Sequence, residues 1–201
     1  MEAAVAAGVG RVLYTSHQGA AAGSPFVPAR HHFATEELLD ASGLAWTSLR
    51  NGFYAHSLQW LLGPWQTTGT VSVPADGPVS WTAREDAAAA AALVLLADEP
   101  FDGPVTMTAS AALTFAELAQ MLSEQAGRPI AFEVLDEEEW VARAVQGGQP
   151  ERMVRFLLGM YQAAAQGYFA GTDPLLRDLL GREPVTAREV VAGLVAGEQA
   201  H

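Results

Sequence analysis

No cysteine and no lysine occur in the 201 residues. Without thiols the chain can form no disulfide, no thiolate metal centre and no cysteine nucleophile. Without a lysine amine it can support neither Schiff-base chemistry, nor the lysine of a Walker phosphate loop, nor a Tyr-x-x-x-Lys proton relay. Positive charge is scarce: 11 basic residues, all arginine, face 23 acidic ones, for a formal net charge of −12. Binding to a phosphate backbone or an anionic membrane rests on clustered Lys and Arg, so neither nucleic acid nor membrane is expected as a partner. Long apolar runs are missing as well. Residues 87–96, mostly alanine, reach only about half a bilayer span. The first residues carry no basic stretch of the kind that opens a signal peptide, so a cytoplasmic location is the expectation. Asparagine is nearly absent, Asn51 being the only one. What remains, half hydrophobic and 17% charged, is the composition of a globular domain with a sizeable core.

The first half alternates helices and strands. Residues 2–7 read as the end of a helix stopped by Gly8, and Arg11-Val12-Leu13-Tyr14-Thr15 as a short buried strand. A loop rich in Gly, Ala, Ser and Pro follows. Pro28 then suits the first turn of a helix over residues 28–42, ended by Gly43, and residues 45–49 form a second strand. Strands joined by helices of this length indicate a parallel sheet with crossover helices, an α/β fold.

From Thr82 onward helices dominate. Thr82-x-x-Glu85, Thr114-x-x-Glu117 and Thr186-x-x-Glu189 each match a capping box. The second opens an i, i+3, i+4, i+7 stripe of Phe115, Leu118, Ala119 and Leu122, closed by Gly127. Asp136 caps a helix over 137–146, its acidic start favoured by the helix dipole. Further helices are expected over 150–166 and from Pro174 to Gly181, with short strands at 105–107 and 131–134. No Gly-x-Gly-x-x-Gly turn occurs, and Gly8-Val9-Gly10 precedes a strand instead of following one, so it cannot place a pyrophosphate at a helix start.

Residues with chemical potential gather after the two strands. Thr15, Ser16 and His17 leave the carboxyl end of the first, where open α/β sheets bind ligands, although a plain polar loop accounts for them equally well. His32 and Glu36 share a helix face, so the carboxylate could orient the ring; a solvated pair is the simpler alternative, and a metal site lacks a third ligand. Asn51-Gly52-Phe53-Tyr54 follows the second strand. It reads either as a turn or as an amide beside two aromatics that grip a flat ring. Trp60, Trp65 and Trp81, with Phe26 and Phe53, could line an aromatic pocket, with core packing the simpler role for most of them.

Taken together, residues 6–16, the histidine- and glutamate-bearing segment 28–43, and Trp46-Thr47-Ser48-Leu49-Arg50-Asn51-Gly52-Phe53-Tyr54 resemble the NmrA-like branch of the atypical short-chain dehydrogenase/reductases, and within it the type 2 NAD(P)H:quinone oxidoreductases. Thr82-Ala83-Arg84-Glu85-Asp86-Ala87-Ala88 and Leu113-Thr114-Phe115 are similar to later segments of that family. The resemblance implies the C-terminal part of a Rossmann-like parallel sheet plus a small, mainly helical substrate domain, divided at about 1–110 and 111–201 and partly interleaved. It implies NAD or NADP as cofactor, with NADPH favoured, and a small quinone-like substrate reduced by direct hydride transfer. A homodimer is the possible assembly.

Carried onto this chain, the family pattern assigns Thr15, Ser16, Asn51, Gly52 and Phe53 to the cofactor. Phe26, His32 and Tyr54 fall to the substrate, with Ser16, His32 and Asn51 near the reacting ring and no metal. Family members begin with a glycine-rich strand–turn–helix that holds the pyrophosphate, and that half is absent here, as though the chain starts inside a crossover helix. A non-catalytic dinucleotide sensor, or an inactive fragment, is the alternative.

Overall fold

The computed structural model describes residues 1–199. A short helix α1 (Glu2–Ala6) leads into strand β1 (Arg11–His17), helix α2 (Val27–Asp40) and strand β2 (Ala45–Asn51). Strand β3 (Phe53–Tyr54), a 3-10 turn (Ala55–Ser57), helices α3 (Leu58–Leu61) and α4 (Trp65–Thr68), and strands β4 (Thr70–Val73) and β5 (Trp81–Thr82) follow. Then come α5 (Arg84–Leu96), β6 (Gly103–Met107), α6 (Phe115–Ala126), β7 (Ala131–Val134), α7 (Glu137–Gln146), α8 (Glu151–Ala165), α9 (Leu175–Leu180) and α10 (Ala187–Gln199). No helix among the described residues is long and apolar enough to cross a membrane.

Three parallel strands in the order β1-β2-β6 form the sheet that matters for the site. Their register ends level: His17 lies opposite Asn51, and Asn51 opposite Met107. Side chains alternate across a strand, so β2 divides its residues between two layers. Ser48 and Arg50 turn to α2, where both bond Glu36, while Leu49 packs with Ala90, Val94, Met107 and Leu176 beneath α5 and α9. The larger core spans the chain from Phe26 to Val195, and β4 pairs in parallel with β7, so the two halves share one interior. Within it the α6 stripe is at most 1% exposed. Each of its large side chains contributes about 2 kcal/mol on burial.

The expected α/β architecture is present, with β1 and β2 each running two residues further than the β-branched pattern suggests. Pairing with a neighbour carries both strands out to the rim. The capping boxes at Thr114 and Thr186 form, with Thr114 N donating to Glu117 at 2.8 Å and Thr186 N to Glu189 at 2.7 Å. The one expected at Thr82 does not. Thr82 sits in β5, where its hydroxyl oxygen accepts from Ala109 N at 3.0 Å, and Ala83 occupies the cap of α5 without a side-chain bond. A tertiary partner has taken the oxygen that the local motif offered. Of the five aromatics weighed for a pocket, Trp65, Trp81 and Phe26 are buried core residues and Trp60 is 61% exposed.

Candidate active site

Because β1 and β2 end level, the segment after β1 and the residues at the end of β2 meet at one rim, and α2 rises beside them. Here the His17 ring lies among four others. Phe169, Phe53 and Phe26 have centroids 5.1, 5.4 and 5.9 Å away, and His32 stands 6.3 Å away and nearly parallel. Gly19 N–H donates to His17 Nδ1 at 3.0 Å. Glycine is required at 19, since a Cβ there would run into the Phe169 ring. Burial, helped by the neighbouring His32, pushes the His17 pKa down to about 4. At neutral pH the ring is therefore uncharged. With Nδ1 engaged as an acceptor, its proton sits on Nε2, which makes no bond to any of the described residues.

His32 is held by a residue that spacing did not suggest. Its Nδ1 lies 2.8 Å from the Tyr14 hydroxyl. Burial lowers its pKa below 6.5; Glu36 pulls the other way and His31 adds to the fall. Glu36, for which the shared helix face left open either an orienting bond to the ring or a solvated pair, does neither. Instead its carboxylate is 5% exposed beneath α2 and takes bonds from Ser16 Oγ at 2.7 Å, Ser48 Oγ at 2.6 Å and Arg50 Nε at 3.0 Å. A second Arg50 nitrogen completes a two-pronged ion pair. Burial alone would raise the Glu36 pKa, but bonds from Arg50, Ser48 and Ser16 and the Arg50 charge outweigh it and hold the carboxyl below its usual range. The cluster fastens α2 to β1 and β2 one turn from His32.

At the end of β2, Asn51 Nδ2 donates to the Tyr54 hydroxyl at 3.1 Å. Asn51 Oδ1 is buried without a partner. Gly52 N–H donates to Met107 O at 2.9 Å, and a Cβ at this position would collide with Thr82 Oγ1 and come within 2.7 Å of Ser80 O. Phe53 continues the ring wall toward Trp81, 5.7 Å away.

Of the residues singled out in the sequence, His32, Phe26, Asn51, Gly52, Phe53 and Tyr54 therefore gather at this rim. Thr15 stands exposed on β1, one position before it. Ser16 is corrected: at 4% exposure its hydroxyl is committed to Glu36 under α2, so it supports the site and does not face a reacting ring. Tyr14, Arg50 and Phe169 carry no role in the sequence reading, while His17, placed there at a strand end that suits either a site or a plain polar loop, lies at the centre of the ring cluster. Alternation along β1 places Tyr14 with Ser16 on the α2 face, and that signal was readable. Phe169 arrives from 152 residues downstream of His17 with no local mark.

Residues 1–186 match the NmrA-like family. The chain belongs to that family. An NmrA-like family domain-containing oxidoreductase of Aspergillus flavus is 30% identical over 206 residues, covering 100% of this chain and 67% of the relative. The crystal structure of the NADPH-dependent quinone oxidoreductase of Escherichia coli complexed with NADPH superposes with a TM-score of 0.85 at 30% identity, over 96% of this chain and 68% of that one. The triphenylmethane reductase of Citrobacter superposes with a TM-score of 0.85 at 28% identity, over 97% and 68%. The NmrA-like chain thus spans about two thirds of the length of the relatives it matches. Its likeness to NAD(P)H oxidoreductases, and its Rossmann-like parallel sheet, agree with the resemblance read from residues 6–54.

Proposed function

We propose that this chain carries the reacting end of an NAD(P)H-dependent reductase site whose acceptor is a quinone or similar small carbonyl compound. One observation carries the reading: a neutral His17 N–H and the His32–Tyr14 pair stand inside a wall of phenylalanines at the carboxyl rim of a parallel sheet, and Asn51, whose amide oxygen has no partner, lies level with His17 on the next strand. Such rims are where open α/β sheets bind ligands. The residues fit a reduced nicotinamide at its ring end. An orphaned amide oxygen suits a carboxamide N–H, and Phe53 supplies a flat apolar surface. Thr15, Asn51, Gly52 and Phe53 would hold that ring, NADPH being the favoured form, and Phe26, His32 and Tyr54 would flank the acceptor. The bound nucleotide supplies the hydride.

The protein's part is placement and proton supply. Hydride addition to a carbonyl-type acceptor leaves a negative oxygen that must gain one proton. His32 is the donor in this reading. Its lowered pKa makes the imidazolium a stronger acid, and Tyr14 keeps the ring aimed. Neutral His17 donates a hydrogen bond from Nε2 and cannot compete for the proton above about pH 4. Glu36, Ser16 and Arg50 position α2.

Following loss of the reduced-nicotinamide absorbance with NADPH and a panel of quinones tests the reading. We expect turnover that His32→Ala lowers by about 100-fold, the span of a general acid. Because the donating form is protonated, the rate should rise as pH falls through the lowered His32 pKa. Unchanged turnover in His32→Ala removes that residue from the mechanism, and NADPH bound but never consumed favours a dinucleotide sensor.

A further inference from the structure

Away from the rim, a cavity of about 830 Å³ opens among α3, α4, β4, α7 and α8. It shares no lining residue with the rim: its walls are Trp60, Leu61, Leu135, Trp140, Met153 and Leu157. That volume is typical of pockets that enclose a whole small molecule. Two large apolar side chains of its lining are left in water, Trp60 at 61% exposure and Met153 at 49%. The Trp60 ring packs nearly perpendicular to the His56 ring, with centroids 5.7 Å apart.

The polar groups of the cavity define what it accepts. Arg143, its one charged side chain, is already paired with Glu139 at 2.6 Å and Glu133 at 3.2 Å. The Tyr161 hydroxyl is spent on Leu61 O at 2.7 Å, and Trp140 Nε1 on Ser72 O at 3.2 Å. The side-chain amides of Gln59, Gln66 and Gln149 make no bond to any of the described residues. An anion finds no free cation here and meets a chain of net charge −12. A cation finds no free carboxylate in the lining. Two indoles and a thioether suit the faces of a flat ring system, and the amides suit hydrogen-bonding groups at its edge. We propose that this cavity binds a neutral, planar, fused-ring aromatic molecule. It is a binding site without chemistry of its own, because its lining holds no carboxylate and no imidazole and its one guanidinium is paired. The proposal does not depend on the reductase reading.

The probe is N-phenyl-1-naphthylamine, neutral and fused-ring, followed by calorimetry and by its own emission on the whole chain. One saturable site is expected. Trp60→Ala and Met153→Arg change exposed side chains and leave the fold intact by circular dichroism; each should weaken binding about tenfold or more, the scale of one lost aromatic contact with its burial. His32→Ala, which alters the rim, should leave the affinity within about twofold. The same skeleton carrying a sulfonate should bind about tenfold more weakly. The proposal is overturned if no saturable binding occurs, if binding survives both cavity variants, if His32→Ala abolishes it, or if the sulfonate binds as well as the neutral probe.

Discussion

Replacing Glu36 with alanine would strip the acceptor from three buried or half-buried donors at once. Ser16 Oγ and Ser48 Oγ, at 2.7 and 2.6 Å, lose their partner, and the Arg50 guanidinium loses its counter-charge. Breaking a buried pair by removing one member typically costs 3–5 kcal/mol, because the other charge stays behind without compensation. Arg50 remains 25% exposed, so water recovers part of its solvation. The expected loss is therefore at the lower end, about 3 kcal/mol. Urea unfolding followed by circular dichroism should show it as a midpoint lower by about 1.5 M with an unchanged slope. Glu36→Gln keeps one acceptor oxygen and should lose about half as much. The acid side supplies an independent check. The folded carboxyl has a lowered pKa, so its contribution is present above the ordinary value of 4.5 and is lost as pH falls through the folded value. The gap between wild type and Glu36→Ala should narrow steadily as pH falls below 4.5. A loss under about 1 kcal/mol at neutral pH, or a gap that stays constant into acid, would refute the claim that this cluster fastens α2.

Two further predictions concern the rim itself. His17 is held neutral down to about pH 4, whereas the unfolded chain takes its proton near 6.5. Stability present above pH 6.5 should thus fall by up to about 3 kcal/mol on the way to pH 4, and His17→Leu should flatten that slope in urea titrations; equal slopes would show the ring to be solvated. Gly52→Ala should cost about 1–3 kcal/mol in thermal or urea unfolding, because the new methyl meets Thr82 and the Ser80 carbonyl. A neutral result would mean that β5 yields at no cost.

The elements legible in the sequence were those that local chemistry determines. The capping box and apolar stripe of α6, the Asp136 cap of α7 and the β-branched run of β1 each specify their element from a few neighbouring residues. Residues 53–81 carry no capping box and no apolar stripe of that kind. Their two- and four-residue strands exist because partners arrive from far along the chain, β5 for β3 and β7 for β4. The site divides the same way. Position at the carboxyl end of a strand marked Asn51 and Phe53, and helix spacing marked His32. Which group Glu36 would bond was not legible, since two histidines, two serines and an arginine were all within its reach by topology. Only the packed face of α2 selects among them.

Asn51 offers the most direct measurement of the central claim, because a chain with one asparagine gives a single side-chain amide signal under selective nitrogen-15 labelling. Titration with NADPH should move that Asn51 Nδ2 signal saturably, in step with binding measured by calorimetry, as its neighbouring oxygen gains a partner. Saturating NADPH that binds the protein and leaves the Asn51 signal where it was would contradict the account.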